Sequence, residues 1–501
     1  MKPTLTLLTA LLLMLRAELV LAQRIEPNWK SMVENYQCPD WFRDGKIGIW
    51  LHWGPQSILE GEDRPFTESY TSTMYGIEDS QGQKSGYVRR VKDVAAWHAK
   101  RFGPPSEFGY DKLIPLFKAE KWDPDGLVRL FKECGVKVIV PISTHVDNFD
   151  MYDSSFPWNS VAMGPRRDVV GAWKKAAVKH GLRLGVSTHL YQAPACLKEG
   201  RKYQKPGTLE WSLFMMDYDP GFQSDIKWAE HWYQRTWEAI EKYDPDWVNV
   251  DGPFPDEKRG NGLGVKLFSE YINRDKDKHG GKQQVVLSHK GSNMDLRGFT
   301  LNLEGGMAAD IRPSPWIWGT RKLSGTWFYW TPARSIVPVP ALIGNIVDTV
   351  SKNGFVLMNV ALRGDGTLPE YQATILRSVG DWLAINGEGI YGTRPWKIFG
   401  EGPTQISDKR QGENLKPYSA ADIRFTTKDG NLYAFVLAPP TEDILIKTLG
   451  TGGLLKEQIT SIALLGSSET LKWSRSTAGL TIKRPESLPC QYVAGFRITL
   501  K

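Results

Sequence analysis

Asp246-Trp247-Val248-Asn249-Val250-Asp251-Gly252 is the stretch that decides the fold. A short β-rich run delivers one carboxylate, Asp251, to its C-terminal tip, and a glycine and a proline follow at once. Seven further runs of this kind lie at 46–54, 136–143, 182–190, 284–290, 299–304, 325–330 and 354–362, and most end in a polar or aromatic residue. They are near-continuous rather than alternating, as strands buried on both faces should be. Helical patterns at 124–135, 169–181, 225–243, 264–278 and 341–352 separate several of them; two open with carboxylates or prolines and two close near glycine. Eight strands feeding one rim make an α/β fold, a (β/α)8 barrel with its active site at the C-terminal ends of the strands. The chain therefore reads as an enzyme, with Asp251 as candidate nucleophile. The link at 291–298 is too short for a helix, so the barrel is expected to be irregular there. An insertion at 58–119, rich in Gly, Pro and charge, follows the first strand and is expected to lie over the rim.

Outward from the barrel, the texture changes after Trp396. Short runs at 423–427, 432–437, 443–449, 459–465, 471–474, 480–483 and 492–500, separated by turns such as Lys428-Asp429-Gly430-Asn431, predict a C-terminal antiparallel β-sandwich. At the other end, Lys2 precedes an apolar run from Leu5 to Leu15 and a small-residue site at Val20-Leu21-Ala22, the pattern of a secretory signal peptide cleaved after Ala22. The expected division is thus a signal peptide at 1–22, a barrel at 23–396 and a sandwich at 397–501, in a secreted or periplasmic protein. No other apolar run reaches the length of about 18 residues that a membrane span needs. The net charge of +7 is spread along the chain rather than gathered in a basic arm, which argues against nucleic acid and leaves room for an acidic polysaccharide. Four scattered cysteines form no metal-binding CxxC spacing and do not fix a disulfide pairing. Cys134, ahead of a strand, is expected to be a buried small hydrophobe.

Three of the eight histidines fall at the same end of three successive runs: His52 before Trp53, His145, and His189 before Tyr191. A histidine at a strand tip suits a sugar hydroxyl, and an indole suits the apolar face of a pyranose, which makes Trp53 and Tyr191 candidates for the same pocket. Three rim histidines also raise a metal site as a rival, although their long spacings do not favour it and no cofactor is expected. The carboxylates Asp251, Glu304 and, in the rim insertion, Glu68 form the other constellation. Glycoside hydrolysis needs two such groups, one as acid and one as nucleophile or base.

Together these segments resemble glycoside hydrolase family 29, the exo-acting α-L-fucosidases. The stretches that carry the resemblance are Lys46-Ile47-Gly48-Ile49-Trp50-Leu51-His52-Trp53-Gly54-Pro55, Glu68-Ser69-Tyr70, Met74-Tyr75 and His145-Val146-Asp147-Asn148-Phe149. Further along lie Ser351-Lys352-Asn353-Gly354, Leu357-Met358-Asn359, Asp365-Gly366-Thr367 and the run from Asn386 to Trp396. The resemblance implies a retaining double displacement on a glycan with a terminal α-L-fucosyl-type sugar. It implies Asp251 as nucleophile, Glu304 as acid/base with Glu68 as the alternate, and His52, His145 and Trp327 lining the sugar pocket. The chain departs from the family pattern at Val146, Asn249, His189, Gln192-Ala193, Lys290 and Ile317. Removing or adding a hydrogen-bonding group in a sugar pocket changes discrimination by orders of magnitude. L-Galactose, or a sulfated sugar from an algal polysaccharide, therefore stands beside L-fucose as the expected substrate, with His189 and Lys290 placed to meet a more polar group. An inactive carbohydrate-binding relative is the remaining alternative.

Overall fold

The computed structural model describes residues 24–76, 84–218, 225–290, 298–321, 323–331, 336–408 and 417–501. The expected signal peptide and most of the link at 291–298 lie outside them. Eight strands close into a barrel: β1 (Ile47–Leu51), β2 (Val138–Thr144), β3 (Arg183–Thr188), β4 (Trp247–Val250), β5 (Val286–His289), β6 (Thr300–Asn302), β7 (Trp316–Thr320) and β8 (Gly354–Val360). Each pairs in parallel with its neighbours, and β8 returns to β1. The helices Pro124–Glu133, Val169–His180 and Ile226–Tyr243 start where the acidic openers predict. Asp123, Asp168 and Asp225 each accept hydrogen bonds from the first-turn amides.

One strand differs from expectation. The seventh is Trp316–Thr320, not 325–330. Both segments are rich in tryptophan, but only the first is free to pair on both sides: Leu301 lies opposite Trp316 and Met358 opposite Thr320. The second segment turns over the barrel mouth and carries Trp327 there. The insertion at 58–119 is also more ordered than its composition suggests, since it contains the helix Ser85–Phe102, anchored by buried Val91, Val94, Trp97 and His98.

Side chains alternate along each strand, so every second residue points into the barrel. Phe42, Trp50, Val138, Val140, Trp247, Val286, Ile317 and Phe355 fill its floor as a separate apolar cluster. One layer higher the inward positions are polar. Asn249 donates to Ser187 Oγ (2.8 Å) and accepts from Ser288 Oγ (2.7 Å) and Asn302 Nδ2 (3.3 Å), while Ser288 Oγ accepts from Trp247 Nε1 (2.7 Å). The rim stands on this layer.

The C-terminal part packs two antiparallel sheets. One has the order β13 (Ile459–Leu464), β16 (Ala494–Leu500), β11 (Asn431–Val436), β10 (Ile423–Lys428), β9 (Arg394–Glu401); the other is β12 (Ile444–Ile446), β15 (Gly479–Ile482), β14 (Trp473–Ser476). The boundary expected at 396/397 falls inside β9, which pairs with β10 and so belongs to the sandwich from Arg394 onward. Asp348, on the helix Val339–Ser351, joins the two parts: it accepts from Lys352 Nζ (2.8 Å) and from Arg424 Nε on β10 (2.6 Å), all fully buried. All four cysteines are free thiols, and Cys134 is buried as expected. Among the described residues, no helix is long and apolar enough to cross a membrane.

Candidate active site

The first residue beyond each of the strands β1 to β5 is a functional candidate: His52, His145, His189, Asp251 and Lys290. The register explains the alignment of the last four. Thr144 lies opposite Thr188, Thr188 opposite Val250 and Val250 opposite His289, so the residues that follow stand side by side. The ladder continues one step into the site, where His189 N donates to Thr144 O and Asp251 N to Thr188 O, both at 2.9 Å. Gly252 then turns the chain away with φ +80°, and a Cβ there would overlap the Gln192 side chain.

These tips surround a cavity of about 190 Å³ lined by His52, Glu68, Ser69, His145, Val146, His189, Gln192, Cys196, Asp251, Lys290, Glu304 and Trp327. Eight of the ten residues expected from the sequence are therefore brought together. Trp53 and Tyr191 are not: both are buried in the shell outside the barrel. Trp53 donates to Arg363 O (2.8 Å) and packs on Phe117 and Trp122, while Tyr191 packs on Trp232. Their positions one and two residues past a tip residue turn them away from the mouth. Most of the tryptophan excess likewise packs the interior, with Trp50, Trp173, Trp228, Trp232, Trp247, Trp316, Trp318 and Trp382 fully buried. Val146 and Gln192, departures from the family pattern, also line the cavity, and Ser69 and Cys196 are lining residues that sequence reasoning did not single out.

Lys290 organises the acidic half of the site. Its ammonium lies 2.7 Å from Asp251 Oδ1 and 3.1 Å from Glu304 Oε2. Burial works against the charge, but Asp251 and then Glu304 outweigh it and hold the lysine above its ordinary pKa. One ammonium bridging two carboxylates keeps the bridged oxygens within roughly 6 Å of each other, close to the separation of about 5–5.5 Å found in retaining glycosidases. Glu304 itself sits in the left-handed region at φ +54°, its amide donating to Asn302 Oδ1 (2.8 Å). A non-glycine residue held there is strained, and such strain persists where surrounding structure enforces it, often at functional sites. Glu68, from the rim insertion, is instead ion-paired with Arg321, the first residue past β7.

The histidines form the neutral half. Asn359 Nδ2 donates to Ser324 Oγ (2.8 Å), Thr326 O (3.0 Å) and Trp327 O (2.8 Å), so its Oδ1 is left to accept from His52 Nδ1 (2.6 Å). The proton is thus assigned to Nδ1, and His52 Nε2 keeps a lone pair. Burial, reinforced by neighbouring His145, lowers the His52 pKa to about 3. Burial likewise holds His145 and His189 well below the ordinary imidazole value, His189 adding to the effect on His145 and His52 to that on His189. Trp327 stacks at a tilt over His52, with centroids 4.9 Å apart, and Phe328 packs edge-on to His145 at 4.7 Å. A neutral imidazole offers one donor and one acceptor, which matches sugar hydroxyls, and the indole supplies an apolar wall.

Comparison with known proteins gives this arrangement its family. A family model described as Alpha-L-fucosidase matches residues 12–388, and one described as Alpha-L-fucosidase C-terminal domain matches residues 416–499. The chain is 26% identical over 491 residues to the tissue alpha-L-fucosidase of Rattus norvegicus, covering 95% of this chain and 92% of the relative. It is 27% identical over 495 residues to an alpha-L-fucosidase of Branchiostoma floridae, covering 94% of each. Among solved structures, Thermotoga maritima alpha-fucosidase in complex with fucose superposes with a TM-score of 0.69 at 26% identity, covering 95% of this chain and all of that one. With both family models matched in order over the barrel and the sandwich, the chain belongs to the alpha-L-fucosidase family of glycoside hydrolases.

Proposed function

We propose that the protein is exported and releases terminal α-L-fucose from glycans with retention of configuration. The observation that carries this reading is the Lys290 bridge, which sets Asp251 and Glu304 together at the mouth of the barrel. In the first step the Asp251 carboxylate attacks the anomeric carbon and the bond to the leaving oxygen breaks, while Glu304 gives that oxygen its proton. In the second, water attacks the same carbon, its proton passes to Glu304, and the ester to Asp251 is released. Asp251 Oδ1 is held by Lys290 and faces His189 Nδ1 at 3.8 Å, which leaves Oδ2 as the attacking atom. Export rests on the pattern of the first 22 residues, and an inactive relative is disfavoured by the presence of both carboxylates.

The presence of Ser69, Gln192 and His189 in the cavity lining supports L-galactosides as a second substrate, because their extra hydroxyl needs a partner that the methyl group of fucose does not. A sulfated sugar finds less support. Lys290 is already bonded to two carboxylates, Arg321 to Glu68, and the imidazoles are neutral, so the cavity holds no uncommitted cation among its described residues. The test is hydrolysis of p-nitrophenyl α-L-fucoside and α-L-galactoside, with the anomer of the first product read by proton NMR. Turnover should yield the α-anomer first, and Asp251→Asn should lower kcat at least about 10³-fold. A β-anomer as first product, or an active Asp251→Asn enzyme, would overturn the mechanism.

A further inference from the structure

The same rim brings three imidazoles together from three successive strands. One ring nitrogen from each of His52, His145 and His189 can be chosen so that all three lie within 4.8 Å of one another. Zinc–nitrogen bonds of about 2.0–2.1 Å in tetrahedral geometry put ligand nitrogens roughly 3.4 Å apart, so closing the set takes about an ångström of side-chain rotation. The surroundings suit a cation in three further ways. The Nδ1–H of His52 donates to Asn359 Oδ1, which fixes the ring and leaves the Nε2 lone pair to ligate, the outer hydrogen bond that metal-binding histidines commonly have. The Asp251 carboxylate stands beside the cluster, its Oδ1 3.8 Å from His189 Nδ1. The cavity itself leaves the fourth coordination position open to water.

We propose that His52, His145 and His189 form a binding site for a divalent cation of the Zn²⁺ type, which occupies the cavity in competition with the sugar and blocks hydrolysis. Three neutral nitrogens select zinc, copper or nickel over calcium and magnesium, which prefer oxygen ligands. The cation takes no part in the reaction. It sits where the sugar hydroxyls bind, so the enzyme is active free of metal and is shut off by it.

The test uses the full chain titrated with Co²⁺, followed by visible absorption, and with Zn²⁺, followed by calorimetry. One equivalent of Co²⁺ should bind with the intense absorption of a tetrahedral site. Affinity should fall at least tenfold in both His189→Gln and His145→Gln, with thermal unfolding of each variant confirming the fold. It should be unchanged in His279→Gln, an exposed histidine paired with Asp275. Zn²⁺ should raise the KM for p-nitrophenyl α-L-fucoside without changing kcat, and a chelator should reverse this. Absence of binding below millimolar metal, or equal affinity in the two rim variants and the wild type, would overturn the proposal. Because absorption and heat report the metal directly, the outcome stands whether or not the fucoside is turned over.

Discussion

At the scale of single residues, the two glutamates at the mouth are distinguished by what holds them. Glu304 is bridged to Asp251 through Lys290 and fixed in a left-handed conformation, whereas Glu68 comes from the rim insertion and is held by Arg321. A general acid contributes about 10²–10⁴-fold, and most where the leaving group needs a proton. Glu304→Gln should therefore lose activity in that range on a natural fucosyl disaccharide. It should lose far less in the first step with p-nitrophenyl fucoside, whose phenolate leaves unaided. Glu68→Gln should affect both substrates to the same smaller extent, as expected of a group that helps shape the pocket. Steady-state and burst kinetics on the two substrates decide between them. If Glu68→Gln shows the leaving-group dependence and Glu304→Gln does not, the roles are exchanged.

At the scale of elements, the barrel was legible because its strands are buried on both faces and so read as continuous apolar runs. The tips were legible for the opposite reason, since polar residues such as His52, His189 and Asp251 interrupt those runs at one consistent end. The seventh strand was misassigned because 316–320 and 325–330 have the same aromatic texture, and pairing with β6 and β8, a non-local property, chooses between them. Trp53 and Tyr191 were misplaced because a tip fixes which way its own residue points but not the course of the chain after it. Glu68 and Ser69 reach the cavity only through the fold of the insertion. The polar layer beneath the rim was within reach of simple parity: Asn249 lies two residues before Asp251 and must face the same way. That layer makes a prediction. Asn249→Leu would leave Ser187, Ser288 and Asn302, all buried, with missing partners, at about 1–3 kcal/mol for each group left unsatisfied. Denaturant unfolding should show a loss of at least about 2 kcal/mol. Because Asn302 also holds the Glu304 amide, kcat should fall as well. Unchanged stability would mean that the layer relaxes around an apolar side chain and does not position the rim.

At the scale of the whole molecule, the buried imidazoles tie stability to pH. His52 and His231 are lowered to about 3, chiefly by burial, and His145 and His189 lie well below their ordinary value for the same reason. In the unfolded chain all four titrate near 6.5. Above that value neither state binds these protons, and these four groups leave stability unchanged. As pH falls below it the unfolded chain gains protons that the folded protein excludes, so stability is lost progressively toward pH 3. Each proton is worth about 1.4 kcal/mol per pH unit, which sets a limiting slope of about 5 kcal/mol per unit for four imidazoles. Asp147, pushed up to about 6 by burial, works in the opposite direction between about 4 and 6, as do Asp111 and Glu60, also raised by burial, while His98, lowered by burial, adds to the histidines. Calorimetric Tm should therefore drop more steeply between pH 6 and 5 than between pH 8 and 7. His145→Gln and His189→Gln should each remove about one proton from the dependence. A Tm that holds constant from pH 7 to 5 would mean that the rim imidazoles are solvated and titrate freely. The neutral half of the site, on which both the sugar and the cation readings depend, would then be lost as well.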